Sequence, residues 1–416
     1  MPRPMPLTRD DCVESDRCDP LGGARALFDL PDGLIYLDGN SLGALPHAVK
    51  RRVREAVEQQ WGRDLIAGWN AHSWIDLPAR VGGKIARLVG AEADEVVAAD
   101  STSVNLFKLA AAAVRLRTPR RVIVTERGDF PSDVYILQGL VELMSGAVEL
   151  RVVEREDLAE ALCEDVALLL LSHVHFKTGR VHDMAELTRQ AHAVGALTLW
   201  DLSHSAGVLD VRLDRDQADF AVGCGYKYLS GGPGAPAFLF VARRLHADVR
   251  LPLTGWMGHA APFAFEESYR PAPGVLQGLC GTPPILSLAA LDEALDVFDG
   301  LSMTEVRAKS QALTSLFLQL VEQRCGGLEL EIACPANGAL RGGQACLRHP
   351  DGYAIVQGLI ARGVVGDFRS PDVMRFGFAP LYVRYADVWD AVEQLRLMLQ
   401  AGAWRDPRFH QRLAVT

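Results

Sequence analysis

An α/β fold built on a mostly parallel sheet is what this sequence predicts, and three observations predict it. From about residue 95 onward, short leucine-rich or β-branched runs alternate with helical stretches; the runs are apolar almost throughout; and the pattern changes near Gly281-Thr282-Pro283-Pro284. Strand–helix alternation is the signature of βαβ units. Near-continuous apolar runs are expected where helices cover both faces of a parallel sheet.

Seven runs are strand candidates for this sheet: Glu95–Ala98, Arg121–Thr125, Val148–Val153, Val166–Ser172, Leu197–Asp201, Asp219–Cys224 and Ala237–Val241. Val104–Leu116, Ser132–Ser145 and Asp183–Val194 read as the helices between them. Beyond Pro284 a long helical region, Ile285–Phe298 and Ser302–Arg324, precedes the strand candidates Leu328–Ala333, Gln344–Leu347, Val364–Asp367 and Met374–Phe378. The expected organisation is an N-terminal segment, residues 1–46, that lacks a clear period and crosses to the smaller domain. A large domain, 47–284, and a smaller C-terminal α/β domain, 285–416, complete it.

With 416 residues the chain has length for two or three domains and a large core. The formal net charge of −9 speaks against a nucleic-acid partner, which would need a basic patch. Met1 to Asp19 has no apolar run of the signal-peptide kind, and the most apolar stretch, Val166 to Leu171, is far too short to span a bilayer. The eight cysteines, at 12, 18, 163, 224, 280, 325, 334 and 346, show neither Cys-x-x-Cys pairs nor framework spacing. They read as reduced thiols, so a cytoplasmic protein away from membranes is expected.

The chemistry concentrates around two strand ends. Asp201 closes an apolar strand in Trp200-Asp201-Leu202-Ser203-His204, where doubly wound sheets gather ligand-binding groups. An Asp at such a point also serves as a cap or turn residue. The next strand runs out into Gly225-Tyr226-Lys227-Tyr228 and a glycine run, Gly231-Gly232-Pro233-Gly234. Lysines usually sit on solvated faces, but here the Lys follows a buried strand one β-unit beyond Asp201. A P-loop is excluded, since its glycines precede the Lys. An Asp and a Lys so related are what pyridoxal phosphate requires: the Lys forms the Schiff base and the carboxylate keeps the pyridinium nitrogen protonated. Asp100-Ser101-Thr102-Ser103-Val104-Asn105 opens a helix and supplies hydroxyls and N–H groups for a phosphate, or else a plain capping cluster.

Further motifs extend this pattern: Leu37-Asp38-Gly39-Asn40-Ser41-Leu42-Gly43, Phe130-Pro131-Ser132-Asp133, Gly255-Trp256-Met257-Gly258-His259, Thr282-Pro283-Pro284-Ile285-Leu286, and Arg375 followed by Ala379-Pro380-Leu381-Tyr382. Together with Asp201-Leu202-Ser203-His204 and Tyr226-Lys227-Tyr228-Leu229, they make the chain resemble the kynureninases nearly end to end. These are members of the fold type I pyridoxal-phosphate superfamily. The resemblance implies that Lys227 carries the cofactor and moves protons, that Asp201 pairs with the pyridine nitrogen, and that Asp133 and His204 make further cofactor contacts. It places Phe130 over the ring, and Thr102, Ser103 and Tyr226 at the phosphate, with Ser172 nearby. Trp256 and Thr282 match positions that reach the phosphate from the other subunit, which implies a homodimer with shared active sites. Arg375 is implied as the clamp on the substrate α-carboxylate, and Trp69 and His72 as neighbours of the substrate's aromatic ring. The implied reaction is hydrolysis of L-kynurenine to anthranilate and L-alanine in tryptophan catabolism. Tyr226 is the candidate base for the attacking water and Lys227 its rival. Thr282 implies a preference for kynurenine over its 3-hydroxy derivative.

Other readings compete. A cysteine desulfurase needs a mobile cysteine nucleophile, and no Cys stands out on a glycine-rich loop; an aminotransferase would consume a keto acid. A metal site drawn from His173, His175, His182 and Asp183 lacks a third ligand fixed by spacing, so no metal is expected. A binding protein on the same scaffold would be suggested by loss of the Lys or the Asp, and both are present.

Overall fold

The apolar runs become strands because both their faces find cover. In the computed structural model, which describes residues 7–413, the strands in chain order are β1 Ile35–Tyr36, β2 Val96–Ala98, β3 Val122–Glu126, β4 Glu149–Val153, β5 Val166–Ser172, β6 Leu197–Asp201, β7 Phe220–Cys224, β8 Ala237–Val241, β9 Glu331–Ile332, β10 Gln344–Arg348, β11 Val364–Val365, β12 Asp367–Arg369 and β13 Val373–Gly377. Part of the Met1–Asp19 stretch, its first six residues, lies outside the described residues. β2 to β8 form one seven-stranded sheet in the order β2-β8-β7-β6-β5-β3-β4. β8 is antiparallel to both neighbours and every other pair is parallel.

Alternation along β5 shows how the core is built. Leu169 and Leu171 join a cluster with Trp200, Phe238 and Phe240, covered by Val81 and Ile85 of the helix Leu77–Val89. Leu168 and Leu170 face the other way, onto Phe220 and Val222, under Leu106 and Leu109 of Thr102–Leu116 and Leu137 and Leu140 of Pro131–Leu143. Each such leucine, at 1% exposure or less, contributes roughly 1.5–3 kcal/mol, so a charge anywhere on β5 would unseat the sheet.

Common strand direction fixes the site. β2, β3, β5, β6 and β7 all end at one edge, and β8 begins there. The loop Gly225–Pro236 joins the antiparallel neighbours β7 and β8, which accounts for its glycine run. A Cβ at Gly231 would stand 2.7 Å from Leu291 Cδ1 and 2.8 Å from the Gly225 carbonyl oxygen, so only glycine fits.

Beyond this sheet, β12-β13-β10-β9 form an antiparallel sheet, and β1 pairs in parallel with β11. The segment before residue 46 is thus tied to strands more than 300 residues later. It also carries a helix that its sequence period does not show, Arg9–Arg17, opened by a Thr8–Asp11 capping box. That helix lies against Tyr385–Gln400. Asp16 accepts hydrogen bonds from the N–H groups of Tyr385 (2.7 Å) and Ala386 (3.0 Å), placing negative charge at a helix N-terminus. The helix Ile285–Ala294 packs on His47–Glu55 and Leu77–Val89, with Arg80 and Lys84 each 2.9 Å from Asp292.

Three sequence expectations change. Val364–Asp367 is not one strand: the chain bends at Gly366, where a Cβ would lie 2.8 Å from the Arg375 carbonyl oxygen, and its halves enter different sheets as β11 and β12. Leu328–Ala333 shortens to β9, which meets only two residues of β10. The helix expected to Phe298 stops at Ala294 and continues as a 3-10 turn. Among the described residues no helix is long and apolar enough to cross a membrane.

Candidate active site

A cavity of about 240 Å³ lies at the carboxyl edge of the large sheet, and nine of the residues singled out by sequence line it: Thr102, Ser103, Phe130, Asp133, Ser172, Asp201, His204, Tyr226 and Lys227. They arrive on five strand ends. Thr102 opens the helix after β2, capped by Ser101, whose Oγ accepts from Val104 N (3.3 Å). Phe130 and Asp133 open the helix after β3, while Ser172 and Asp201 end β5 and β6.

Lys227 Nζ lies 2.9 Å from His204 Nε2 and 5.9 Å from the centroid of the Phe130 ring. Burial first, then the charges of Lys227, Arg375 and Arg369, hold the His204 pKa well below its usual value. His204 is therefore neutral, and its Nε2 shares a hydrogen bond with the Lys227 side-chain nitrogen. Behind Lys227 the backbone is clamped: Gly43 N donates to the Tyr226 carbonyl (2.8 Å), and a Cβ on Gly43 would lie 2.2 Å from the Lys227 carbonyl oxygen. The Asn40-Ser41-Leu42-Gly43 motif is thus a support for the lysine loop.

Two carboxylates share the cavity floor. Asp201 Oδ1 accepts from Ser203 N (2.8 Å), so the turn role open in the sequence is also filled. Burial raises the Asp201 pKa, with the Lys227 charge pulling the other way. Burial, then the charges of Asp201 and Asp129, push the Asp133 carboxyl well above the ordinary range. Asp133 Oδ2 accepts from Ser172 Oγ (3.4 Å), but its buried Oδ1 has no partner. An unpartnered buried oxygen costs about 1–3 kcal/mol, and here it faces a cavity that a polar ligand can fill. Burial raises the Tyr226 hydroxyl as well, so it stays protonated and acts as a donor.

Several expected residues stand elsewhere. Arg375 is 1% exposed and does not line the cavity; it is bound by Asp367, Ser41 and the Phe176 carbonyl. Trp256 is 42% exposed, packed on the exposed Phe263 and Phe265, and Thr282 is exposed. Trp69 and His72 are half-buried around Trp74, with His72 Nε2 2.7 Å from Asp64. The histidines considered for a metal are engaged separately: His173 with Ser205 (2.9 Å), His175 with the Gly128 carbonyl (2.9 Å), and His182 with Glu126 (2.5 Å). Asp183 caps the next helix through Glu186 N (3.0 Å). Among the described residues no cluster of three or more His, Cys, Asp or Glu side chains is placed to hold a metal.

Phe176 and Asp129 escaped the sequence reading. Phe176 lines the cavity with its ring edge-on to Phe130 at 5.2 Å. Its signal was its place just beyond β5. Asp129 accepts from Phe130 N (2.7 Å) and Ser172 N (2.8 Å), tying the loop after β3 to the end of β5. A bond to two backbone groups leaves no trace in sequence.

An Asp and a Lys on successive strand ends, an aromatic ring over the cavity and a helix N-terminus beside it define a pyridoxal-phosphate enzyme of the aminotransferase class-V kind; the aminotransferase class-V model matches residues 35–336. Solved structures carry the same fold: an apo cysteine desulfurase from Thermococcus onnurineus NA1 (TM-score 0.74, 19% identity, 95% of this chain and 100% of that one) and a C-DES mutant with glycine covalently linked to the PLP cofactor (TM-score 0.74, 18% identity, 90% and 98%). The kynureninase C-terminal domain model matches residues 306–395. Kynureninases from Burkholderia mallei (strain SAVP1) and Pseudomonas fluorescens are 49% and 48% identical over 414 residues, 98% of this chain and 100% of each relative. The chain belongs to the kynureninase family.

Proposed function

We propose that this protein hydrolyses the Cβ–Cγ bond of L-kynurenine to anthranilate and L-alanine, with pyridoxal 5′-phosphate carried on Lys227. The observation that carries the reading is the meeting of Lys227, Asp201, His204 and Asp133 at one cavity in a chain nearly half identical, end to end, to kynureninases. The cofactor, when bound, supplies an electron sink beside the bond that breaks.

The rest falls to the chain's own residues. Asp201, made more basic by burial, holds a proton at the ring nitrogen. Asp133 Oδ1, lacking any protein donor, accepts from the cofactor. Phe130 covers the ring. Thr102, Ser103 and the N–H groups at their helix terminus hold the phosphate, where the helix dipole favours an anion. Tyr226, its proton kept by burial, donates to that phosphate, with Ser172 nearby. Lys227 is therefore assigned the proton transfers, including deprotonation of the attacking water, with neutral His204 as its hydrogen-bond partner. Arg375, held by Asp367, Ser41 and the Phe176 carbonyl, supplies positive charge for the substrate α-carboxylate.

The exposure of Trp256 and Thr282 supports a homodimer in which each protomer completes its partner's site, with Trp69 and His72 flanking the substrate ring. Thr282 at that border favours kynurenine over 3-hydroxykynurenine. The place of action is the cytoplasm. The desulfurase alternative rests on fold likeness alone: Cys224, three residues before Lys227, is buried and its thiol pKa is raised, the reverse of what a nucleophilic thiol needs.

The test is to incubate the cofactor-loaded protein with L-kynurenine and measure both products. Equal amounts of anthranilate and alanine are expected. No anthranilate from protein that visibly holds cofactor would refute the reading.

A further inference from the structure

Arg375 is assigned to the substrate carboxylate, yet the fold has already occupied most of it. Its Nε donates to Asp367 Oδ1 (2.7 Å), Nη2 to Asp367 Oδ2 and to Ser41 Oγ (3.0 Å), and Nη1 to the Phe176 carbonyl (2.6 Å). Four of the five guanidinium N–H donors are engaged. Its side chain is 2% exposed. Such a group makes a rigid wall of positive charge with little left for a bidentate grip.

Beside it stands a second guanidinium. Arg369 Nη2 reaches the same Asp367 oxygen (2.8 Å) and the same Ser41 hydroxyl (3.4 Å), and Nη1 donates to the Phe368 carbonyl (2.9 Å). Nε and one Nη1 hydrogen remain open, and the side chain is 32% exposed. Both arginines act electrostatically on His204, which lines the cavity, and the segment carrying Ser41 is clamped two residues later against the Tyr226-Lys227 backbone. Arg375 also holds the carbonyl of Phe176, which lines the cavity, so the pair stands just behind the cavity wall.

The local charge is unbalanced. The neighbouring arginines and Ser41 keep Asp367 ionised despite burial, whereas burial and the Asp367 charge push Asp38 up to about 8, so that it is mostly protonated at neutral pH. Two guanidinium cations thus share one carboxylate, and like charges so close repel unless an anion joins them. A planar fork with open donors is suited to a carboxylate.

We propose that Arg369 is the second guanidinium of the receptor for the substrate's α-carboxylate, supplying the open N–H donors while Arg375, fixed by Asp367, supplies a preset charge. This rests on the amino-acid substrate proposed above and adds selectivity for a free α-carboxylate to it. The holoenzyme is titrated with L-alanine and with L-alaninamide while the absorbance of the bound cofactor is followed, and each dissociation constant is measured for wild type, Arg369→Met and Arg369→Lys. Wild type is expected to prefer the acid. Arg369→Met weakens alanine binding about ten- to hundredfold, the effect of one charged hydrogen-bonding partner, and leaves alaninamide unchanged. Arg369→Lys, which keeps charge but loses the fork, gives an intermediate ratio and serves if Arg369→Met does not hold cofactor. An acid-over-amide ratio unchanged in both variants overturns the role of Arg369. A wild-type ratio near one overturns the receptor as a whole. Kynurenine turnover in the same wild-type preparation reports separately on the activity.

Discussion

Replacing Asp129 by Ala removes one side chain that does not itself line the cavity, yet it should loosen the whole mouth. The carboxylate is 4% exposed and accepts from Phe130 N at 2.7 Å and Ser172 N at 2.8 Å. A hydrogen bond to a charged group contributes about 1.5–3 kcal/mol, which gives roughly 3–6 kcal/mol for the two, with both N–H groups left buried in the variant. Against this stands relief of repulsion, because the Asp129 charge raises the pKa of both Asp133 and Asp201. A net loss of about 3 kcal/mol is expected. It should be accompanied by weaker cofactor retention, since Phe130 is no longer held over the cavity. Urea unfolding of the cofactor-free protein measures the first, and equilibrium dialysis the second. A loss below about 1 kcal/mol would refute the tie between the β3 loop and β5 as a structural support.

Tyr226→Phe should weaken cofactor binding about tenfold or more, the effect of one donor to a charged phosphate, while turnover of saturated enzyme stays within about tenfold of wild type. A collapse of turnover at saturating cofactor would return the role of base to Tyr226. Asp38 gives a pH signature. Its folded-state pKa of about 8 lies above the ordinary 3.8, so the folded protein keeps a proton that the unfolded chain has lost. Its contribution to stability is complete below about pH 4 and declines as pH rises towards 8. Asp38→Asn, which cannot ionise, should therefore gain on wild type in unfolding midpoint between pH 5 and 8; parallel profiles would show that Asp38 is ionised in the folded state. Trp256→Ala should cost protomer unfolding little, since the ring is 42% exposed and packs on the exposed rings of Phe263 and Phe265; under the proposed shared site it should raise the cofactor dissociation constant, as dialysis would show.

The large sheet was legible because burial on both faces writes apolar runs: Val166–Ser172, Leu197–Asp201 and Ala237–Val241 match the strands end for end. The small sheets were less so. β1 and β11 are two-residue strands whose partners lie more than 300 positions apart, and the bend at Gly366 leaves no periodic sign. The cavity residues were legible for a related reason, since a parallel sheet brings its strand ends to one edge and the chemistry was sought there. Asp129, Asp367 and Arg369 were missed because they act on backbone groups or on other side chains, and sequence spacing records neither. Arg375 was found by likeness, but its grip by Asp367 could be seen only once β12 and β13 were paired.

Lys227 is the residue on which every assignment above depends. Borohydride reduction of the cofactor-loaded protein, followed by peptide mapping, should place a stable pyridoxyl label on Lys227, and Lys227→Ala should show neither label nor kynurenine turnover while remaining folded. A label on any other lysine, or normal turnover by the Ala variant, would contradict the site.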